Sequence, residues 1–421
     1  MSVQSVSNSL SPAIFLQGPG GLVAVPLCQR YGRLPVLFWS QLLALICTIG
    51  CVYANTWGAF TACRALQGFF GAAPQVIGLS IIHDMFFFHE RTRKINIWAM
   101  ASLVGPYLGP MISSLCLLKI DWRPDFGILC GFYGWSVLMV LCLGDETLYD
   151  RHSHHTNTSK PRKKTLVRHI SLLIGIEGYQ LATPRNRPGL WTVTWHLCSV
   201  LLRPYLLLPT ALFVMPITMW TIGLVSTITQ FMLTPKRAGG YGFSYVAMAM
   251  LYFAPIIGTC LAEIWGHWFN DFIAKRYMKK HNGVHKAENR LKGVYMPVIV
   301  GVAGLVLFGE SLQHRLSWVG LAFGWAMNCF STLGAMTAIS AYVLDCFPHH
   351  AALASAWMNF WRVIGGFSVV YFQLKWVERN GPAVSFGCQA AVIAAAAGAV
   401  VATQVWGKGW RSRFPAPKAE N

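Results

Sequence analysis

Eleven runs of about 20 apolar residues, set apart by polar stretches, govern what this chain can become. They cover 11–28, 34–54, 57–82, 97–118, 124–144, 203–231, 243–266, 294–313, 317–345, 351–373 and 383–406. At about 1.5 Å of rise per residue, a helix of this length crosses a hydrocarbon core of roughly 30 Å. An all-α integral membrane protein is therefore expected. The composition agrees, with 54% hydrophobic and 12% charged residues, where soluble chains carry about a quarter charged.

The formal net charge is +19, from 34 Lys and Arg against 15 Asp and Glu. In a soluble protein such a balance points to nucleic acid. In a membrane protein Lys and Arg instead collect in cytoplasmic loops and set orientation. Segments 29–33, 83–96, 145–203, 267–293 and the C-terminal tail hold 25 of them, the opposite side holds seven, and Arg64 and Arg362 fall within spans. The basic side is accordingly placed in the cytoplasm, with the N-terminus outside, and nucleic acid drops out as a partner. The sequon Asn157-Thr158-Ser159 then lies on the cytoplasmic side, where glycosylation is not expected. The 12 Cys include no CxxC pair and lie mostly in apolar runs. There a thiol acts as a small hydrophobe, so neither a disulfide framework nor a zinc site is indicated.

The spans divide the chain into a tail (1–10), five spans (11–144), a basic loop (145–202), six spans (203–406) and a second tail (407–421). The opening "MSVQSVSNSLSPAIFLQ" lacks the basic region and cleavage site of a signal peptide. Five plus six is an odd count for a chain that reads as two halves. A six-plus-six plan without its first helix accounts for it.

Several residues stand out against this background. In "VPLCQRYGRLPV", Gly32 permits a tight turn between two helix ends, while Arg30 and Arg33 fix charge at the rim. Arg64 lies about seven residues into its span, roughly 10 Å from the outer end. Gln67, Gly68, Gly71 and Gln75 share its helical face. An Arg at that depth faces protein or water, or snorkels to the interface and merely anchors the helix. Arg362 is near mid-span, beside Asn359, Gly365 and Gly366. It is placed to meet an anion, a carbonyl or a neighbouring carboxylate, or to serve as a hydrogen-bonding hub between helices. "GPYLGP" puts Gly105 and Gly109 one turn apart, each followed by a proline, Pro106 and Pro110. A neighbouring helix can approach the glycines closely, and a passive packing kink would look the same.

These stretches resemble the major facilitator superfamily, specifically its fungal drug:proton antiporters. The loop at 25–34 is similar to the family's Gly-x-x-x-Asp-Arg-x-Gly-Arg-Arg, with Val25, Gln29 and Leu34 departing from it. "CRALQGFFGAAPQ" resembles Arg-x-x-Gln-Gly, and "GPYLGP" resembles the antiporter motif Gly-x-x-x-Gly-Pro, although Ser113 and Ser114 replace the glycine pair that usually ends it. "GDETLYDR", "GHWFNDFIAKR", "NGVHKAENRL", "AYVLDCFP" and "NFWRVIGGF" follow the family's order. The likeness runs from about Ser9 to Arg411.

The resemblance implies two helical bundles related by a pseudo-twofold axis around a central cavity, working by alternating access. It assigns Arg64, with Gln67, Arg362 and Asn359, to proton coupling or the cavity, and makes the Gly-Pro motif the seal between this span and one of the second half. Arg30, Gly32, Arg33, Asp271, Lys275 and Arg276 become gating residues, although the second three equally suit a solvated helix end. Trp220, Thr227, Gln230, Asn328 and Tyr342 are candidates for lining the cavity, or for ordinary packing.

No Asp or Glu lies near the centre of a span; Asp84, Glu263, Glu310 and Asp345 sit close to span ends. A proton carrier must be one of these, a His, or a residue elsewhere, and for each acid an interfacial cap or loop salt bridge is the simpler role. The shortage of acid disfavours uptake of a cationic nutrient such as a polyamine. Export of a small organic molecule, a drug or a secondary metabolite, in exchange for protons is expected. Uptake and a non-transporting truncated relative stand as alternatives. An enzyme is not expected: "HSHH" and "HH" lack the spacing of di-iron His boxes. No cofactor or metal is called for. The partners are the substrate, protons and the lipid bilayer, the chain is expected to act as a monomer, and the plasma membrane is its expected location ahead of the vacuolar membrane.

Overall fold

The computed structural model of the chain describes residues 3–147, 166–181, 187–235, 240–280, 286–348 and 350–417. The sequon and the "HSHH" stretch lie outside these residues. The described chain is helical throughout. The first half holds α1 (Val3–Tyr31), α2 (Arg33–Tyr53), α3 (Trp57–Gly71), α4 (Ala73–Met85), α5 (Phe88–Cys116) and α6 (Trp122–Leu143). Three shorter helices follow: α7 (Leu166–Ile174), α8 (Ile176–Leu181) and α9 (Leu190–Leu201). The second half holds α10 (Pro204–Leu233), α11 (Tyr245–Leu251) and α12 (Phe253–Lys280). It continues with a 3-10 turn (Ala287–Val294), α13 (Tyr295–Gln313), α14 (Trp318–Cys346), α15 (Ala351–Asn380) and α16 (Pro382–Arg413).

Among the described residues ten segments are long and apolar enough to cross a membrane. The eleventh expected span falls in α15, which is 30 residues long but carries Asn359, Arg362 and Gln373 on its buried side. Its polar atoms face other helices rather than lipid, which is where a membrane tolerates them. Most boundaries follow helix chemistry. Thr56, Ser244 and Ser317 cap α3, α11 and α14 by accepting a backbone N–H on the side-chain oxygen. Gly381, at φ 83°, turns the chain between α15 and α16, and Pro382 opens the next helix.

Prolines account for two departures from the expected spans. The run at 57–82 is two helices that meet at Ala72, because Pro74 has no N–H to continue the ladder. The π-turn Thr210–Val214 interrupts α10 between Pro209 and Pro216. The segment expected as a loop at 145–202 contains α7, α8 and α9, and α12 continues well past the expected end at 266.

Packing is uneven. Every residue of α14 from Ser331 to Leu344 is buried, whereas α6 has no buried residue. The core centres on Trp325, Tyr342, Phe308, Phe386, Tyr205 and Phe347. Small residues let backbones touch: a Cβ on Gly324 of α14 would lie 2.7 Å from the Gly304 carbonyl of α13. Dispersion between such close backbones is a main source of helix association in lipid, where the hydrophobic effect is absent. The two halves meet along a seam formed by α1 and α4 against α15, and by α5 against α12 and α14.

Candidate functional site

The site is built from polar side chains along the seam and from the ion pairs at the basic end of the helices. At that end Gly32, with φ 108°, reverses the chain between α1 and α2. The conformation suits glycine, and a Cβ there would also collide with the Glu146 carboxylate. Glu146 accepts from the backbone N–H groups of Arg33 and Leu34, both at 3.1 Å. It therefore holds negative charge at the N-terminus of α2, where the helix dipole favours it. The buried Arg33 guanidinium pairs with Asp84 and donates to Ser80 Oγ at 3.0 Å. The family's Asp slot holds Gln29, yet the rim arginine has its acid: Asp84 supplies it from α4. Arg30 donates to the carbonyls of Arg187 (3.1 Å) and Pro188 (3.3 Å), and Arg187 donates back to the Arg30 carbonyl (3.1 Å). Arg30 thus tethers the segment ahead of α9.

At the corresponding end of the second half only one of the three expected gating side chains is described. Arg276 is exposed, with its guanidinium 5.8 Å from the Phe272 ring centroid, and the side chains of Asp271 and Lys275 lie outside the described residues. Two ion pairs there involve the 3-10 turn: Arg290 pairs with Asp345, and Glu288 receives Arg411 Nη2 at 2.5 Å. The sequence marks "NGVHKAENRL" only by its place in the family's order, and the fold shows the partners of its charges.

Arg64 donates to Gln67 Oε1 at 2.8 Å, Gln67 Nε2 donates to Thr48 Oγ1 at 2.7 Å, and the guanidinium lies 5.3 Å from the Phe126 ring centroid. Arg64 is held inward rather than snorkelling. The face expected to be continuous is divided among neighbours: Gln67 meets α2, Gly68 meets the Ala13 carbonyl of α1, and a Cβ on Gly71 would lie 3.5 Å from the Tyr133 hydroxyl of α6. These residues are packing and hydrogen-bonding partners inside the first half. Gln75 alone, past the break at Ala72, reaches the seam.

There Gln75 Oε1 accepts from Arg362 Nη2, which also donates to Asn359 Oδ1 at 2.8 Å. The Arg362 carbonyl accepts from Thr218 Oγ1 at 2.9 Å, fixing α15 against α10. A second seam contact was missed in the sequence. Asn96 of α5, fully buried, donates to the Glu263 carbonyl (2.8 Å) of α12 and accepts from Thr337 Oγ1 (2.8 Å) of α14. Gly266 leaves room for it, since a Cβ would lie 2.8 Å from Asn96 Oδ1. Nearer the basic end Ser355 Oγ donates to the Val76 carbonyl at 2.9 Å.

The Gly-Pro expectation needs correction. Among the described residues nothing lies within 4 Å of a Cβ added at Gly105 or Gly109, so none of the described helices packs into their groove. Helix α5 does pack on α12 and α14, but by another face. Tyr107, two residues from Gly105 and so nearly opposite on the helix, is buried with its hydroxyl 3.0 Å from Cys329 Sγ. The helix continues through Pro106 and Pro110, and Ser113 Oγ donates to Asp125 Oδ2 at 2.6 Å.

The expected cavity residues make the following contacts. Trp220 packs against Phe372 and Trp376, Thr227 donates to the Gly223 carbonyl of its own helix, and the Gln230 carbonyl closes the end of α10. Asn328 donates to Thr221 Oγ1 at 3.2 Å, while Tyr342 lies beside Gly407 near the basic end. Two apolar cavities occur elsewhere, one of about 540 Å³ beside Trp39 and Phe70 and one of about 410 Å³ beside Phe323 and Phe330. None of the expected site residues lines them.

Two helical halves of membrane-spanning length, joined along a seam of buried polar contacts, define a multi-pass membrane protein. Residues 1–370 match the Major Facilitator Superfamily, and the chain belongs to that family. It is 25% identical over 374 residues to the efflux pump radE of Floropilus chiversii, covering 86% of this chain and 65% of radE. It thus spans under two thirds of that relative's length. The probable efflux pump mfs2 of Aspergillus flavus is 24% identical, covering 88% of this chain and 85% of mfs2. Among solved structures, the human organic anion transporter MFSD10 superposes with a TM-score of 0.62 at 14% identity, covering 94% of this chain and 83% of that one. The xylose transporter XylE from E. coli gives 0.60 at 14%, covering 96% and 90%. These two show a shared fold.

Proposed function

We propose that the chain exports a small organic molecule in exchange for protons, by alternating access between its two halves. The observation that carries this reading is the seam. Toward the basic end neutral hydrogen bonds link the halves, Asn96 to Glu263 and Thr337 and Ser355 to Val76, and these can break and re-form without stranding charge. The ion pairs of Arg33 and Arg290 stay within their own halves and keep each rigid while the halves rock. The efflux names of the fungal relatives support the direction.

Proton exchange requires a titratable group that the rocking exposes. Asp84 and Asp345 are committed to arginines, and Glu310 is exposed beside His314. Glu263 differs: its Oε2 is buried without a hydrogen-bond partner, and its own carbonyl is the one that receives Asn96. Glu263 is the proton carrier in this reading. Arg30, Gly32 and Arg33 brace the rim, the basic end faces the cytoplasm, and the protein works as a monomer in the plasma membrane.

The test is expression in a yeast strain stripped of its own export pumps. Accumulation of a panel of labelled organic compounds is measured with and without a proton uncoupler. The reading requires lower accumulation of at least one compound in expressing cells, reversed by the uncoupler; identical accumulation throughout would sink it.

A further inference from the structure

Packing leaves the surroundings of Arg362 unexplained. Arg33 and Arg290 are buried to the same extent, and each has an aspartate. Arg362, 8% exposed, has no acidic group within ion-pair distance among the described residues; its side-chain bonds go to two neutral amides, of Gln75 and Asn359. Two further donors beside it, Arg362 Nε and Asn359 Nδ2, are buried without any acceptor. The cluster thus carries one uncompensated positive charge and surplus N–H groups.

A buried charge without a counter-ion is unfavourable, and unfilled buried donors add to the cost. Such a site is completed by a ligand that brings negative charge and oxygen acceptors. A carboxylate suits it best, because its two oxygens match the fork of a guanidinium. The location is also that of a carrier's binding site. Arg362 lies eleven residues into α15, about 17 Å from the basic end at 1.5 Å per residue. It faces Gln75 of α4 across the seam, and Gly21 of α1 lets the Asn359 amide approach, since a Cβ there would lie 3.0 Å from Asn359 Nδ2. Opening the seam would break the bond to Gln75 and free Nη2 for the ligand.

We infer that the transported molecule is an organic anion whose carboxylate is held by Arg362 and Asn359 at the seam. This rests on the transporter reading and narrows its substrate class.

The full chain is purified into proteoliposomes and its uptake of three labelled compounds of matched shape is measured: phenylacetate, phenylacetamide and phenylethylammonium. Protein-free vesicles supply the background. Wild-type protein is expected to carry the anion at least about tenfold faster than the amide or the cation, the discrimination one charge-assisted hydrogen bond provides. Arg362→Gln removes that preference and Arg362→Lys keeps part of it. Gln75→Glu provides an internal counter-ion, so it abolishes anion uptake while the protein stays folded and melts no lower than wild type; that readout separates binding from a structural role. Equal transport of anion and amide, preference for the cation, or undiminished anion uptake by folded Arg362→Gln overturns the inference while leaving a transporter in place. Transport of none of the three, in a protein that also exports nothing from yeast, overturns the transporter reading and this inference with it.

Discussion

Gln75 and Arg362, 287 positions apart in the chain, meet side chain to side chain where α4 of the first half touches α15 of the second. The amide supplies an oxygen to the charge without neutralising it. The contact therefore joins the halves and still leaves the guanidinium available to an anion.

The rim ion pair should be asymmetric. Arg33 is buried while the Asp84 side chain is 44% exposed. Asp84→Ala strands a buried guanidinium and is expected to cost on the order of 2–4 kcal/mol, whereas Arg33→Ala leaves an aspartate that water can solvate and costs about 1 kcal/mol. Thermal unfolding in detergent, compared between the two variants, checks the order. Equal losses would contradict it.

Gly32 and Gly109 should respond oppositely to alanine. At Gly32 the positive φ and the nearby Glu146 carboxylate make Gly32→Ala cost about 1–3 kcal/mol and disturb the cap on α2. At Gly109 a methyl meets open space, and alanine is the better helix former by up to about 1 kcal/mol. Gly109→Ala should match or slightly exceed wild-type stability in the same melting assay.

Removing the Asn96 side chain deletes two hydrogen bonds across the seam, each worth about 1 kcal/mol. Asn96→Ala should raise the population open at the basic end. Hydrogen exchange in α5 and in the Glu263–Gly266 turn of α12 should quicken, while the interior of α13 stays protected. Unchanged exchange in α5 would show that Asn96 does not hold the halves together.

Glu263→Gln fixes the side chain in its neutral form. If Glu263 carries the proton, the variant loses its response to a pH gradient across the vesicle membrane but still exchanges substrate for substrate. A retained pH response would place the proton elsewhere.

Much of the architecture was legible in the sequence because lipid forces a simple code. Long apolar runs can satisfy their backbones only as helices, and the motifs gave the family. Arg362 was legible as a mid-span charge that needs polar partners, which the fold supplies as Gln75 and Asn359. Asn96 was not: an asparagine near a span end reads as interfacial, and its role depends on Gly266, 170 residues away, offering space for it. The Gly-Pro expectation failed for a related reason, because the motif fixes which residues share a face but not which way that face turns.

The sequence by itself determined the helices, their membrane solvent and the family, because these follow from local composition and order along the chain. Tertiary structure alone decided that Arg33 has a carboxylate and that Arg362 has none among the described residues. That distinction is a matter of helix rotation and of contacts between distant segments. A helix of 3.6 residues per turn presents several faces, and only packing selects the one that meets a partner.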